Sequence, residues 1–441
     1  MSANILLRRG LLVHPTAPGQ GNGKDAFKRA DVRIKDGVIT EISEELANEE
    51  GETLIDANDH WILPGLIDIH THLRDLNQSA KETIETGTRA AAAGGYTTVV
   101  AMANTDPTTD SPRVLSIVQE KIAMHASVRV LPVAAVTIGL KGEQLTEMAQ
   151  LAAMGAIAFS DDGMPLMNLS LLSRALQFAK LLDKTIISHP EDRALSRGGC
   201  LHDSVVATRM GLEGIPSASE AACVAREIEI VRAVGGRLHF AHVSTIAAVE
   251  LIKRAKADGL PITAEVSPHH ISLSDEDIPD FDTAYKMNPP LRGKDDQFKL
   301  VEALSEGVFD AIATDHAPHT KQEKAQAFAS APFGIIGLET AFSVCYDRLV
   351  KQGRLSINQL TYLLTKGPAG VIGLPDPTLK AGVRADITII NPNSQWIYQA
   401  QKGFSKSSNS PYDGQTLMAR VVTTIAEGKI VFQDQAELLA R

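Results

Sequence analysis

A chain of 441 residues with 44% hydrophobic and 22% charged residues holds enough apolar material for one large domain and a smaller companion, which excludes a disordered chain. The formal net charge is -10 with both signs interspersed, and without a basic stripe a nucleic-acid partner has no electrostatic support. The three cysteines, Cys200, Cys223 and Cys345, are far apart, which argues against a disulfide framework or a cysteine-type zinc site and fits a reducing cytoplasm.

Near the start, the apolar stretch of MSANILLRRGLLVHP is broken by Arg8 and Arg9, and no run of about 18 apolar residues follows, so neither export nor a membrane span is expected. Residues 3–63 read as short strands and turns, with a hairpin signal where alternating apolar residues flank Lys35-Asp36-Gly37. The same character returns in ADITIINP and VVTTIAEGKIVFQ, so residues 1–63 and 376–441 are expected to build one small β-sandwich domain from both termini. Between them, over 64–375, apolar β-rich runs recur: LIDIHTH, YTTVVAMAN, VRVLPVAAV, GAIAFSDD, KTIISHP, RLHFAHV, PITAEVS and FDAIATDH. Helix-like stretches such as KETIETGTRAAAAGG and AAVELIKRAKADG precede most of them, the pattern of repeated βα units. The run count predicts an α/β chain with a (β/α)8 TIM-like barrel; a doubly wound sheet satisfies the same alternation. SKSSNSP, Ser405 to Pro411, reads as a polar loop.

His70, His72 and Arg74 stand at alternate positions after an apolar run. If Leu66 to Leu73 is a strand, all three share one face. Asp161, Asp162, His189, His242 and Asp315 stand at the carboxyl ends of later runs, which a barrel gathers on one face. Imidazole nitrogens and carboxylate oxygens suit zinc or a similar divalent ion, and a carboxylate can bridge two ions. Four histidines and two carboxylates exceed what one tetrahedral catalytic ion needs, so a pair of metals is the economical expectation. A single histidine at a strand end is ordinarily a hydrogen-bonded structural residue; the joint pattern carries the argument. Of the 13 histidines, His14, His60, His125, His202 and His239 fit no such position and read as surface or packing residues.

The blocks PGLIDIHTHLR, KETIETGTRAAAAGGYTTVVAMANTDP, AFSDDG, SHPED, HFAHVST, EVSPHH, KMNPPLR, ATDHAPH and APFGIIGLET span nearly the whole chain. Together they resemble the amidohydrolase superfamily and, within it, the class I dihydroorotases. The resemblance implies reversible metal-dependent hydrolysis of dihydroorotate to N-carbamoyl-aspartate, with zinc, one or two ions per subunit, as the expected cofactor; manganese or cobalt suits the same ligands. It implies that His70, His72 and Asp315 hold one metal and His189 and His242 the other. One aspartate of FSDDG bridges; the block favours Asp162 with Asp161 as fallback, and strand parity does not choose between them. Hydantoinases and allantoinases place a carboxylated lysine there. Asp315 is the expected proton shuttle. Arg74, Asn104 and His319 are the expected readers of the substrate carboxylate, beside His72; Asn288 and the backbone of Phe333 and Gly334 are expected at the ring.

Two departures stand out. The family's Glu-Pro-Gly after the arginine is here Asp75-Leu76-Asn77, and MPNT has become MANT at Ala103. Residues 319–332 read as a lid over the site or as an exposed loop. The resemblance also implies a cytoplasmic homo-oligomer, commonly a dimer, and association with aspartate transcarbamoylase. The competing functions are a hydantoinase- or allantoinase-type cyclic amidohydrolase and a non-catalytic scaffold for that transcarbamoylase.

Overall fold

The computed structural model describes residues 4–19 and 27–434; positions 1–3, 20–26 and 435–441, which the composite β domain was expected to include, lie outside the described residues. Strands β1 (Ile5–Leu12), β2 (Lys28–Lys35), β3 (Val38–Ser43), β4 (Thr53–Asp56) and β5 (Trp61–Pro64) come first. They are followed by β6 (Leu66–Thr71), β7 (Tyr96–Ala101), β8 (Arg129–Pro132), β9 (Phe159–Ser160) and β10 (Thr185–Ser188). A short parallel pair, β11 (Leu201–His202) and β12 (Gly214–Ile215), precedes β13 (Arg237–Phe240), β14 (Ile262–Val266) and β15 (Ala311–Ile312). The chain closes with β16 (Ile387–Ile397), β17 (Thr416–Ala426) and β18 (Lys429–Gln433).

Strands from both ends form one 8-stranded mixed sheet in the order β18-β17-β16-β5-β1-β2-β3, with β4 against β1. The Asp36-Gly37 turn joins β2 to β3 with φ of 49° and 81° at the two turn residues, the left-handed pair a tight hairpin requires. Ile5, Leu7, Val32 and Ile34 of the first strands share an apolar core with Ile387, Ile389 and Ile425 of the last, which is why two distant segments make one unit.

The middle of the chain forms a parallel barrel. A 3-stranded sheet, β6-β7-β8, and a 5-stranded sheet, β9-β10-β13-β14-β15, meet at two parallel bridges, Ala134 to Phe159 and Thr71 to His316. These strands are buried on both faces, as β6 shows with every residue buried, so they read as apolar runs rather than alternating ones. The fourth and eighth staves, β9 and β15, are only two residues long. Buried Asp68 reinforces the closing seam, accepting from the amides of His70 at 3.0 Å and Thr314 at 3.2 Å. Burial pushes its pKa up to about 7.

Helices between the strands cover the barrel through apolar stripes. In Leu169–Leu181, Leu171, Leu172, Ala175, Leu176 and Ala179 are buried, and Asn168 caps the start by accepting from the amides of Ser170 and Leu171. The helix Lys366–Val371 approaches the chain before β15 so closely that a Cβ on Gly367 would lie 1.8 Å from the Asp310 carbonyl oxygen. Gly367→Ala is therefore expected to destabilise the protein by about 1–3 kcal/mol through overpacking. Thermal unfolding checks this, and an unchanged midpoint would contradict the contact.

Candidate metal centre

The ends of β6, β9, β10, β13 and β15 bring His70, His72, Asp162, His189, His242 and Asp315 together. The Asp162 carboxylate is the hub. Its Oδ1 lies 3.3 Å from His70 Nε2, 3.5 Å from His189 Nδ1 and 3.7 Å from His242 Nε2, and its Oδ2 lies 3.5 Å from His72 Nε2. Asp315 Oδ1 sits 3.0 Å from His72 Nε2 and 3.6 Å from His70 Nε2. Two ligand-like groups result, His70-His72-Asp162 and Asp162-His189-His242, with donor atoms inside 4.8 Å of one another and Asp162 common to both. His70 Nε2 and Asp162 Oδ1 are buried and make no hydrogen bond, so these donors fit a divalent cation better than they fit each other.

The neighbouring Asp161 points elsewhere. It accepts from the amides of Val136 at 2.8 Å and Thr137 at 3.0 Å and from the Thr137 hydroxyl, and burial lifts its pKa to about 6. Asp162 behaves oppositely: burial opposes its charge, but the surrounding imidazoles, His70 foremost, hold it well below the carboxylate range. Burial likewise opposes a charged His189, and the Asp162 and Glu191 carboxylates override it, raising the pKa to about 10.

Three of the four histidines are aimed by a partner on the far nitrogen, whereas His242 Nδ1 is buried without one and its Nε2 lies 2.9 Å from His189 Nδ1. His70 Nδ1 donates to Glu265 Oε1 at 2.7 Å, His72 Nδ1 to Asn104 Oδ1 at 2.8 Å, and His189 Nε2 to Glu191 Oε2 at 3.2 Å. These bonds fix the tautomers that leave the other nitrogen for a metal. Glu265 also accepts from His239 Nε2 at 3.1 Å, which gives His239 a buried packing role. Glu191 accepts at the same time from Asn288 Nδ2 at 3.1 Å. Sequence reasoning passed over Glu265 and Glu191 as individuals; a lone glutamate inside the apolar run ITAEV was the available signal.

A cleft of about 370 Å³ opens above these residues, bordered by His72, Arg74, Asn104, Asp162, His189, His242, Asn288, Asp315, His319, Phe333 and Gly334; His70 lies beneath it. Arg74 does not get there by strand alternation. β6 ends at Thr71, and Arg74, Asp75 and Leu76 follow with φ of 56°, 46° and 49°, a left-handed run that costs free energy in non-glycine residues. The departing Asp75 holds that turn: its carboxylate accepts from the amides of Leu76 at 2.6 Å and Ile84 at 3.0 Å and from Lys121 Nζ at 2.8 Å. His242 and Asp315 also have positive φ, 34° and 48°.

Arg74 Nε donates to the Pro318 carbonyl at 3.3 Å, and Nη2 lies 3.4 Å from His319 Nε2. His319 Nε2 donates to the Phe333 carbonyl at 2.8 Å; burial and then the Arg74 charge depress its pKa to about 3, so the ring is neutral. Gly334 needs to be glycine, with φ of 135° and a would-be Cβ 2.8 Å from Ala317. Its amide donates to the Lys286 carbonyl at 2.9 Å and its carbonyl accepts from Asn409 Nδ2 at 2.9 Å. Asn409 belongs to the stretch SKSSNSP, where Ser405, Ser407 and Ser410 are buried too; this loop supports the cleft, and nothing in its composition announces that. The segment 319–332 is likewise anchored, with Lys324, Phe328 and Ala331 buried.

A dihydroorotase from Pelotomaculum thermopropionicum is 44% identical over 98% of this chain and 99% of its own length. The chain belongs to the dihydroorotase family. A dihydroorotase from Caldanaerobacter subterraneus is 42% identical over 97% of both chains, and a family model described as Dihydro-orotase-like matches residues 59–248. Among solved structures, L-hydantoinase (dihydropyrimidinase) from Arthrobacter aurescens superposes with a TM-score of 0.87 at 25% identity, covering 98% of this chain and 96% of that one. Dihydropyrimidinase from Brevibacillus agri gives 0.84 at 23%, covering 98% and 95%, a likeness of fold. Membership in the dihydroorotase family makes this chain a metal-dependent hydrolase of cyclic amides, with the expected α/β barrel and a sheet from both termini. No helix among the described residues is long and apolar enough to cross a membrane.

Because Glu265 orients His70, Glu265→Gln should weaken metal affinity by about 10–100-fold, measured by metal content after graded chelation. Asp162→Asn should remove metal while Asp161→Asn keeps it and lowers only stability. Equal metal loss in the two aspartate variants would contradict the division drawn between them.

Proposed function

We propose that this chain interconverts (S)-dihydroorotate and N-carbamoyl-L-aspartate, with cyclisation serving de novo pyrimidine synthesis. The observation that carries this is the guanidinium of Arg74 beside a carboxylate-bridged histidine cluster in one cleft, because dihydroorotate is a cyclic amide that bears an extra carboxylate. Hydantoin and dihydrouracil lack that group. His70, His72 and Asp315 would hold one divalent cation and His189 and His242 a second, with Asp162 between; zinc is our choice for both among ions that suit nitrogen and oxygen donors. When bound, such ions supply Lewis acidity and lower the pKa of water.

The chain's own groups do the rest. Asp315 presents Oδ1 to His72 and His70, which leaves Oδ2 to accept a proton from the attacking water and hand it to the departing amide nitrogen. Arg74 takes the substrate carboxylate; Asn104, whose Oδ1 is committed to His72, offers Nδ2 to the same group. His319, whose one N–H goes to the Phe333 carbonyl, shapes the pocket beside Arg74. Asn288 contacts the ring together with the Phe333 amide, since both backbone polar groups of Gly334 are already engaged. Ring closure uses the same residues in reverse.

For the remaining features our reading is a cytoplasmic enzyme, supported by three buried free cysteines, with residues 1–63 and 376–441 as the small domain and 64–375 as the barrel domain. Family resemblance supports a homodimer and a partnership with aspartate transcarbamoylase.

Protein with counted metal is expected to favour dihydroorotate over hydantoin, allantoin and dihydrouracil by about 10²-fold or more in kcat/KM. Preference for an uncharged ring would move the reading to a hydantoinase, and no turnover at all in metal-loaded protein would move it to a scaffold. Asp315→Asn should lower kcat by about 10²–10⁴-fold. Arg74→Met should raise KM for dihydroorotate at unchanged metal content; loss of metal with KM intact would refute its assignment to the carboxylate.

A further inference from the structure

Two lysines near the cleft are buried in a way the chemistry above does not use. Lys286 is 2% exposed and Lys324 8% exposed, and neither ammonium has a carboxylate salt-bridge partner among the described residues. A buried cation without a counter-ion needs strong hydrogen-bond acceptors in its place. Here the acceptors are backbone carbonyls. Lys286 Nζ donates to Phe328 at 2.6 Å and Ala329 at 3.0 Å and lies 4.5 Å from the centre of the Phe333 ring. Lys324 Nζ donates to Pro332 at 3.0 Å, to Gly334 at 2.9 Å and to the carbonyl of Lys286 itself at 3.2 Å.

The two side chains therefore run in opposite directions across one seam. Lys286 begins the segment that carries Asn288, and it reaches into the 324–334 loop. Lys324 begins that loop and reaches back to the Lys286 backbone while gathering the carbonyls on either side of Phe333. Two conventional bonds also join these segments, Gly334 N to the Lys286 carbonyl at 2.9 Å and the Thr283 hydroxyl to the Lys324 carbonyl. Three ammonium protons suit this task, because they satisfy carbonyls in several directions where a neutral side chain would leave some unpaired. Burial and the neighbouring Lys286 charge bring the Lys324 pKa down to about 7, which is the cost of a site built this way.

We propose that Lys324 and Lys286 are positioning residues that clasp the Phe328–Gly334 segment onto the Lys286–Asn288 segment and so set the substrate cleft between Asn288, Phe333 and His319. The proposal rests on the reading of the cleft as a dihydroorotate site. The clasp touches no metal-ligating side chain, so it acts on substrate affinity and not on the metals.

The test uses the full-length, metal-loaded protein and the variants Lys324→Met, Lys286→Met and the double variant. KM for dihydroorotate should rise about tenfold in each, with kcat and metal content within about twofold of the parent. The double variant should be no worse than the more affected single, since both lysines serve one seam. Amide hydrogen exchange over 325–334 should quicken while exchange in β6 and β13 stays unchanged. Lys324→Gln, which keeps two N–H donors, should recover part of the loss and serves where the methionine variant folds poorly. An unaltered KM, an unaltered exchange rate over 325–334, or a glutamine variant indistinguishable from methionine overturns the clasp. If the parent protein does not turn over dihydroorotate, the functional reading fails, and the exchange measurement still decides the clasp.

Discussion

Asp162 is a buried carboxylate with imidazole nitrogens of His70, His72, His189 and His242 within 3.3 to 3.7 Å of its two oxygens, and the upper face of the barrel is organised around that contact. Removing such groups from water is unfavourable unless each meets opposite charge, a hydrogen bond or a metal. The surrounding structure supplies what one carboxylate lacks. Glu265 takes the far side of His70, Asn104 the far side of His72 and Glu191 the far side of His189, so the free nitrogens point inward together. The strands deliver the ligands to the right height, but this second ring of partners sets their rotation and protonation, and metal chemistry depends on both.

Positive φ in non-glycine residues recurs along the described chain, and some of it falls at the cleft. Arg74, His242 and Asp315 all have left-handed backbone conformations, and each leaves its strand's line to enter the cleft. A regular strand would carry Arg74 past the site. The Asp75 carboxylate bends it back by binding two amides and Lys121, so the departure from Glu-Pro-Gly leaves a turn that is still held by an acid at its first position. Burial on a rigid barrel over-determines these conformations, and the free energy spent on them is repaid as pre-organisation of the cleft.

Likeness of fold separates little in this group of enzymes. A hydantoinase superposes on nearly the whole chain, so barrel and sheet alone do not distinguish a ring with a carboxylate from one without. In the reading proposed above the distinction is local: Asp162, common to both ligand-like groups, and a guanidinium with an amide beside it at the mouth. These sit on strand ends and loops whose conformation the barrel constrains, which lets specificity change while the architecture persists.

Much of this was legible in one dimension. The apolar runs ending in His70, His72, His189, His242 and Asp315 declare both the barrel and its reactive end, because a parallel strand buried on two faces has a distinctive composition and its carboxyl end has a fixed direction. The Asp36-Gly37 hairpin is equally local, since its turn depends only on residues that accept positive φ. Other assignments needed contacts between residues far apart in the chain. Period-two alternation could not choose between Asp161 and Asp162, which differ only in whether Thr137 or His70 faces them. Nor could it foresee that Arg74 turns in through a left-handed bend, or that Asn409, 75 residues beyond Gly334, holds the Gly334 carbonyl. The residue types and their order thus determined the chemistry available, while tertiary structure alone decided which nitrogen, which oxygen and which carbonyl face one another, because side-chain orientation is set by neighbours that only folding brings near.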